Sequence, residues 1–93
     1  MYMFKWNPEK NKYLYETRGI TFEMVIQAIC DGYGISDIAH PNIEKYPNQR
    51  IITVMINDYA HMVPYVMDGE DQFLKKIIPS RKENRKFKGE KDV

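Results

Sequence analysis

Few side chains in this chain are suited to moving protons or holding phosphate. The two histidines, His40 and His61, have no cysteine or second histidine at metal-ligand spacing, so no metal site is expected. Cys30, the only cysteine, falls in the apolar stripe of a helical repeat, which predicts a core residue rather than a nucleophile. Gly32 and Gly34 straddle a helix end, so they cannot present helix N–H groups to a phosphate. The acidic residues Asp68, Glu70 and Asp71 gather in a turn, where solvation explains them. No cofactor is implied.

What remains is a polar set on one extended segment. In residues 59–67, period two puts Tyr59, His61, Val63, Tyr65 and Met67 on one face. Ala60, Met62, Pro64 and Val66 then form the core face, which predicts that His61 and Tyr65 point to an open side. Lys75 and Lys76 lie on opposite faces of the next strand, so one of them joins that side. Arg81 follows the strand end. It stands in the first turn of a helix, the poorer end for a cation, which favours a functional role. Such a surface offers a histidine for proton transfer, cations for phosphate and aromatic rings for base stacking. RNA cleavage asks for little more: a base for the ribose 2′-OH, cations for the phosphorane-like transition state and an acid for the leaving oxygen. It needs no metal. The same residues also suit an ordinary solvated sheet face, with Tyr59 and Tyr65 as amphipathic packing residues.

Charge distribution points the same way. The net charge is only +1 over 93 residues, yet residues 1–71 sum to −4 and residues 72–93 to +5. Such asymmetry suggests a polyanion site or an acidic partner. The basic residues of the junction over 75–85 include Lys75, Lys76, Arg81, Lys82 and Arg85. Beyond Lys88 a loose, solvated tail is expected.

The elements that must position these groups follow from local pattern. Asn7-Pro8 starts a helix over 8–18, and Gly19 stops it. Thr21 caps a second helix over 22–31, with Phe22, Val25, Ile26, Ile29 and Cys30 at helical period. Strands are predicted over 35–40, 50–56, 59–67 and 72–78, with a turn-rich connection over 41–48. Asn57-Asp58 makes the hairpin turn, and Pro64 argues for an edge strand or a bulge. Ser80 caps a short basic helix over 81–87. The expected fold is one α+β domain over 1–93: two N-terminal helices on a roughly four-stranded antiparallel sheet, one face open, and a short basic C-terminal helix. No run is long and apolar enough to cross a bilayer, and residues 1–6 carry no secretory pattern, so a cytoplasmic protein is expected.

Three segments carry a resemblance. Phe4-Lys5-Trp6-Asn7-Pro8-Glu9-Lys10 resembles the Phe-x-Trp-Asp-Pro-x-Lys opening of the bacterial BrnT-like toxins. Arg18-Gly19-Ile20-Thr21-Phe22-Glu23 is similar to that family's Lys-His-Gly-Ile-x-Phe-Glu segment, with Thr17-Arg18 at the Lys-His position. Ile77-Ile78-Pro79-Ser80-Arg81-Lys82 resembles its Ile-Ile-Ser-Ala-Arg-Lys segment. The family's acid-rich loop after the second helix has no counterpart here. The resemblance implies a RelE-like ribonuclease toxin of a type II toxin–antitoxin pair. It would act on RNA and be neutralised by a cognate antitoxin, in a homo- or hetero-oligomer. Arg81 carries over most cleanly as a catalytic residue. His61 would join it as proton-transfer group and Arg18 as phosphate-neutralising cation. Lys75, Lys76, Tyr65, Lys82 and Arg85 would bind RNA. The alternative is a non-catalytic module that docks nucleic acid or an acidic protein.

Overall fold

The computed structural model describes residues 3–88. The tail expected beyond Lys88 lies outside them.

Local chemistry starts each helix. Asn7 Oδ1 accepts from the N–H groups of Glu9 (2.8 Å) and Lys10 (3.3 Å), and Pro8 takes the first helical position, opening α1 (Pro8–Arg18). Gly19, at φ 66, ends it in a left-handed conformation that costs glycine little. Thr21 Oγ1 accepts from Met24 N–H at 3.2 Å and opens α2 (Phe22–Cys30). Asn11 links the two helices: its Oδ1 accepts from Phe22 N–H at 2.7 Å and its Nδ2 donates to Glu23.

Among the described residues, six strands follow in chain order as β1 (Met3–Trp6), β2 (Gly34–Ala39), β3 (Gln49–Ile56), β4 (Tyr59–Asp68), β5 (Asp71–Leu74) and β6 (Ile78–Pro79), followed by α3 (Arg81–Phe87). They form one sheet in the order β1-β5-β4-β3-β2, with β6 also on β4. The protein is thus α+β, with three helices and a mixed sheet among the described residues. This corrects the expectation of roughly four antiparallel strands. β1 pairs parallel with β5, Trp6 opposite Leu74, and nothing local to residues 3–6 announces a partner so far along the chain. Trp6 is held there by stacking on Phe22, with ring centroids 6.0 Å apart.

The expected last strand, 72–78, is two strands with a gap between them, and Pro64 accounts for the gap. β5 covers β4 from Tyr65 to Asp68, and β6 covers it at His61 and Met62. Pro64 falls between, and its carbonyl accepts from Lys75 N–H at 2.8 Å. A residue's N–H and C=O face the same neighbour in an antiparallel ladder, so the donor that proline lacks is missing on this side. Pro64 therefore sits in a central strand and interrupts its partner, rather than marking an edge. The β3–β4 hairpin turns through Asn57 and Asp58 at φ 53 and 62, the positive values a two-residue hairpin of matching twist requires.

The face assignment along β4 is reversed from expectation. Val63 and Tyr65 belong to the core cluster with Leu14, Ile20, Phe22, Val25 and Ala28 of the helical layer. Register puts Val54 opposite His61 and Ile52 opposite Val63, so this set faces the helices. Nor is the other face open at its centre, because Ile51, Thr53, Met55 and Ala60 are buried as well. Both alternating sets of 59–67 are largely apolar, so period two could not decide which meets the helices.

Cys30 is exposed, contrary to its expected core position. Phe22, Val25 and Ala28 form the buried stripe of α2, and two residues past Ala28 at 3.6 residues per turn is the far side. Among the described residues, no helix is long and apolar enough to cross a membrane.

Candidate functional site

A hollow of about 180 Å³ opens where the end of α1, the β3–β4 turn and β6 meet. Arg18, Ile20, Asn57, His61, Ile77 and Pro79 line it. Each arrives by a different route. Arg18 is the last residue of α1, and its Nη1 donates to the Ile77 carbonyl at 3.2 Å. Asn57 is in the hairpin turn. Pro79 lies opposite His61 in the β4–β6 pairing. Arg18 and His61, 43 positions apart in the sequence, thus share one surface.

His61 is half-buried. Its Nδ1 lies 2.8 Å from the Tyr59 carbonyl oxygen. A carbonyl only accepts, so Nδ1 carries the proton and the Nε2 lone pair is the basic site. Burial pushes the imidazole pKa below its ordinary 6.5, and the hydrogen bond to Tyr59 opposes part of that shift. A ring so placed is neutral at pH 7. It can accept a proton there, while the Arg18 guanidinium supplies a positive charge in the lining of the same hollow.

The basic junction leads away from this hollow. Ser80 N–H donates to the Ala60 carbonyl at 3.0 Å, and Asn84 Oδ1 accepts from Ala60 N–H at 3.1 Å. α3 is therefore tied to the residue next to His61. Ser80 Oγ accepts from Glu83 N–H at 3.2 Å, as expected of a cap. Arg81, Lys82, Arg85 and Lys86 are exposed along this helix, with Lys86 paired to Glu83 at 3.6 Å.

The two lysines before it are exposed in the gap between β5 and β6. Lys75 Nζ lies 4.8 Å from the centre of the Phe73 ring. Phe73 alternates with the core residue Leu74, so Lys75 is on the side away from the helices and away from His61. Lys76 precedes the buried Ile77, whose carbonyl holds Arg18.

Tyr65 is not where an RNA-stacking residue must be. It is 1% exposed, and its ring is core. Its hydroxyl donates to Asp37 Oδ1 and Oδ2, at 2.9 and 2.8 Å. Arg50 Nε donates to the same carboxylate at 3.0 Å, and its Nη2 donates to the Asp37 carbonyl at 3.0 Å. The cluster pins β2 against β3 and β4. Sequence reasoning missed it, because residues 28 apart carry no local sign of pairing. Burial first, then the Asp37 carboxylate, pushes the Tyr65 pKa from 10.0 up to about 12. The folded state therefore holds this proton more tightly than the unfolded chain. The stability it confers is full below pH 10 and is lost as pH rises from 10 towards 12. Two pH units correspond to on the order of 2–3 kcal/mol. Unfolding titrated against pH should show this alkaline loss in the native protein and not in Tyr65→Phe.

Among the described residues, no group of three or more His, Cys, Asp or Glu is placed to hold a metal ion. The hollow combines a neutral base and a fixed cation, a pairing suited to deprotonating a hydroxyl beside a phosphate. Compared with known protein families, curated proteins and solved structures, the chain matches none.

Proposed function

We propose that this protein is a ribonuclease toxin, cleaving RNA without a metal and neutralised by a small antitoxin. One observation carries the reading: His61 and Arg18 line the same hollow, and the basic helix that begins at Arg81 is anchored beside it. The resemblance of residues 4–10, 18–23 and 77–82 to the BrnT-like toxins supports it independently, as does the charge of +5 over residues 72–93.

In this reading the RNA backbone enters along α3, where Arg81, Lys82 and Arg85 meet phosphates. His61 Nε2 takes the proton of a ribose 2′-OH. The 2′ oxygen attacks the adjacent phosphorus, and the bond to the 5′ oxygen breaks. Arg18 neutralises charge on the phosphorane-like transition state. The leaving oxygen takes up a proton, and the products are a 2′,3′-cyclic phosphate and a 5′-hydroxyl. Tyr65 has no place in this scheme. Lys75 lies on the opposite side of the sheet and has no place in it either.

The test is RNA integrity. Purified protein should cut RNA to fragments ending in cyclic phosphate, Arg18→Ala should slow the cut by about 10²-fold or more, and Arg81→Ala should weaken RNA binding and reduce its salt dependence. Induced expression should arrest growth in the native protein and not in these variants. Intact RNA with salt-sensitive binding would instead identify a non-catalytic module and end the catalytic reading.

A further inference from the structure

A second cavity plays no part in that scheme. It is a hollow of about 550 Å³ on the other side of the β3–β4 turn. Asn57 borders both hollows, so the hairpin turn divides them. This volume falls within the range that holds small molecules.

Its walls are apolar and adaptable. Met24 and Ala28 of α2 and Met55 and Ile56 of β3 form the inner part. Two rings stand at the rim, Tyr33 at 58% and Phe87 at 55% exposure. Both rings are more than half exposed to water. An aromatic ligand would cover them and gain offset or edge contacts with their rings. Methionine adapts its shape to such a guest. Phe87 lies on α3, a helix with no buried residue, so this wall can adjust at little cost in packing.

The charge in the hollow is one-sided. Gln27, Ala28 and Asp31 line it at the C-terminal end of α2, where the helix dipole is negative. Asp31 adds a carboxylate at that end, and the last turn of α2 holds no basic residue to offset it. Asp58 lines the hollow too, but Lys88 holds it at 3.4 Å. Asp31 is exposed and accepts from Gln27 Nε2 at 3.0 Å, a bond that leaves its carboxylate acceptor capacity for a cation. None of the lining residues is lysine or arginine.

Apolar walls, two exposed rings and a negative helix end define the guest. We propose that this hollow binds an aromatic amine: a flat ring carrying one ammonium group. The ring lies against Tyr33, Phe87 and the methionines. The ammonium faces Asp31 and the α2 terminus, within reach of the aromatic faces. This site stands whether or not the protein cuts RNA, and either reading can fail without the other.

Tryptamine and indole-3-propionate serve as probes, since they share a ring and differ in the sign of the charge. Titration of the full chain should shift the NMR signals of the Met24 and Met55 methyl groups and the Tyr33 and Phe87 rings. Tryptamine should bind at least about fivefold tighter than the anion at low salt. Asp31→Asn keeps an acceptor for Gln27, so the end of α2 is preserved. It should bring tryptamine down to the level of the anion. Phe87→Ala should weaken both probes, by about tenfold. Equal affinity for the two probes would overturn the proposal. So would an absence of shifts at these four residues up to the solubility limit of tryptamine.

Discussion

His61→Gln should lower the rate of RNA cleavage by ~10²–10⁴-fold, the range a positioned general base supplies. Glutamine keeps a polar side chain of similar reach, so the contact with the Tyr59 carbonyl can survive while the proton acceptor is lost. Circular dichroism and thermal unfolding of the variant should match the native protein, which separates chemistry from folding. The pH profile gives a second readout. Burial holds the His61 pKa below 6.5, so the neutral, basic form persists into mildly acidic solution. The acid limb of kcat/KM should therefore have its midpoint below pH 6.5, and His61→Gln should lack that limb. The same shift has a stability consequence of known sign. An imidazole with a depressed pKa costs nothing above pH 6.5, and it destabilises the fold as pH falls from there towards the folded-state pKa. A variant that cleaves at the native rate would remove His61 from the mechanism.

Phe22→Ala should be the most damaging single change to the fold, costing about 3–5 kcal/mol. The side chain is wholly buried, at the start of α2, between the Trp6 ring and the central strands. Truncation leaves a void beside a β-strand that is only four residues long, β1, whose attachment rests partly on that stacking. A domain of this size has roughly 5–15 kcal/mol of total stability, so the variant would keep little in reserve. Urea unfolding should show a lower midpoint with an unchanged slope. A loss under about 1 kcal/mol would mean that Trp6 and the sheet close around the gap.

Much of this protein was determined locally. α1 begins and ends where Asn7, Pro8, Arg18 and Gly19 placed it, because caps and left-handed stops are chemistry of a few adjacent residues. The hairpin at Asn57-Asp58, the Ser80 cap and the helix over 81–87 follow for the same reason. The basic junction was also readable, since charge is a property of composition.

Tertiary structure alone decided three things. It recruited residues 3–6 into the sheet through a parallel pairing with β5, which no local pattern encodes. It chose which alternating face of β4 meets the helices. Both faces are apolar enough, so the choice rested on register with β3 and on the shape of the helical layer. That choice buried Tyr65 and left His61 only half-covered at the end of the strand. Finally, it brought Arg18 and His61 to one hollow, because Arg18 is held by the Ile77 carbonyl just ahead of the strand that pairs with His61. Local sequence determined which residues the chain had available for chemistry. Long-range packing determined which of them share a surface, since only pairing between distant segments brings such residues within reach of one another.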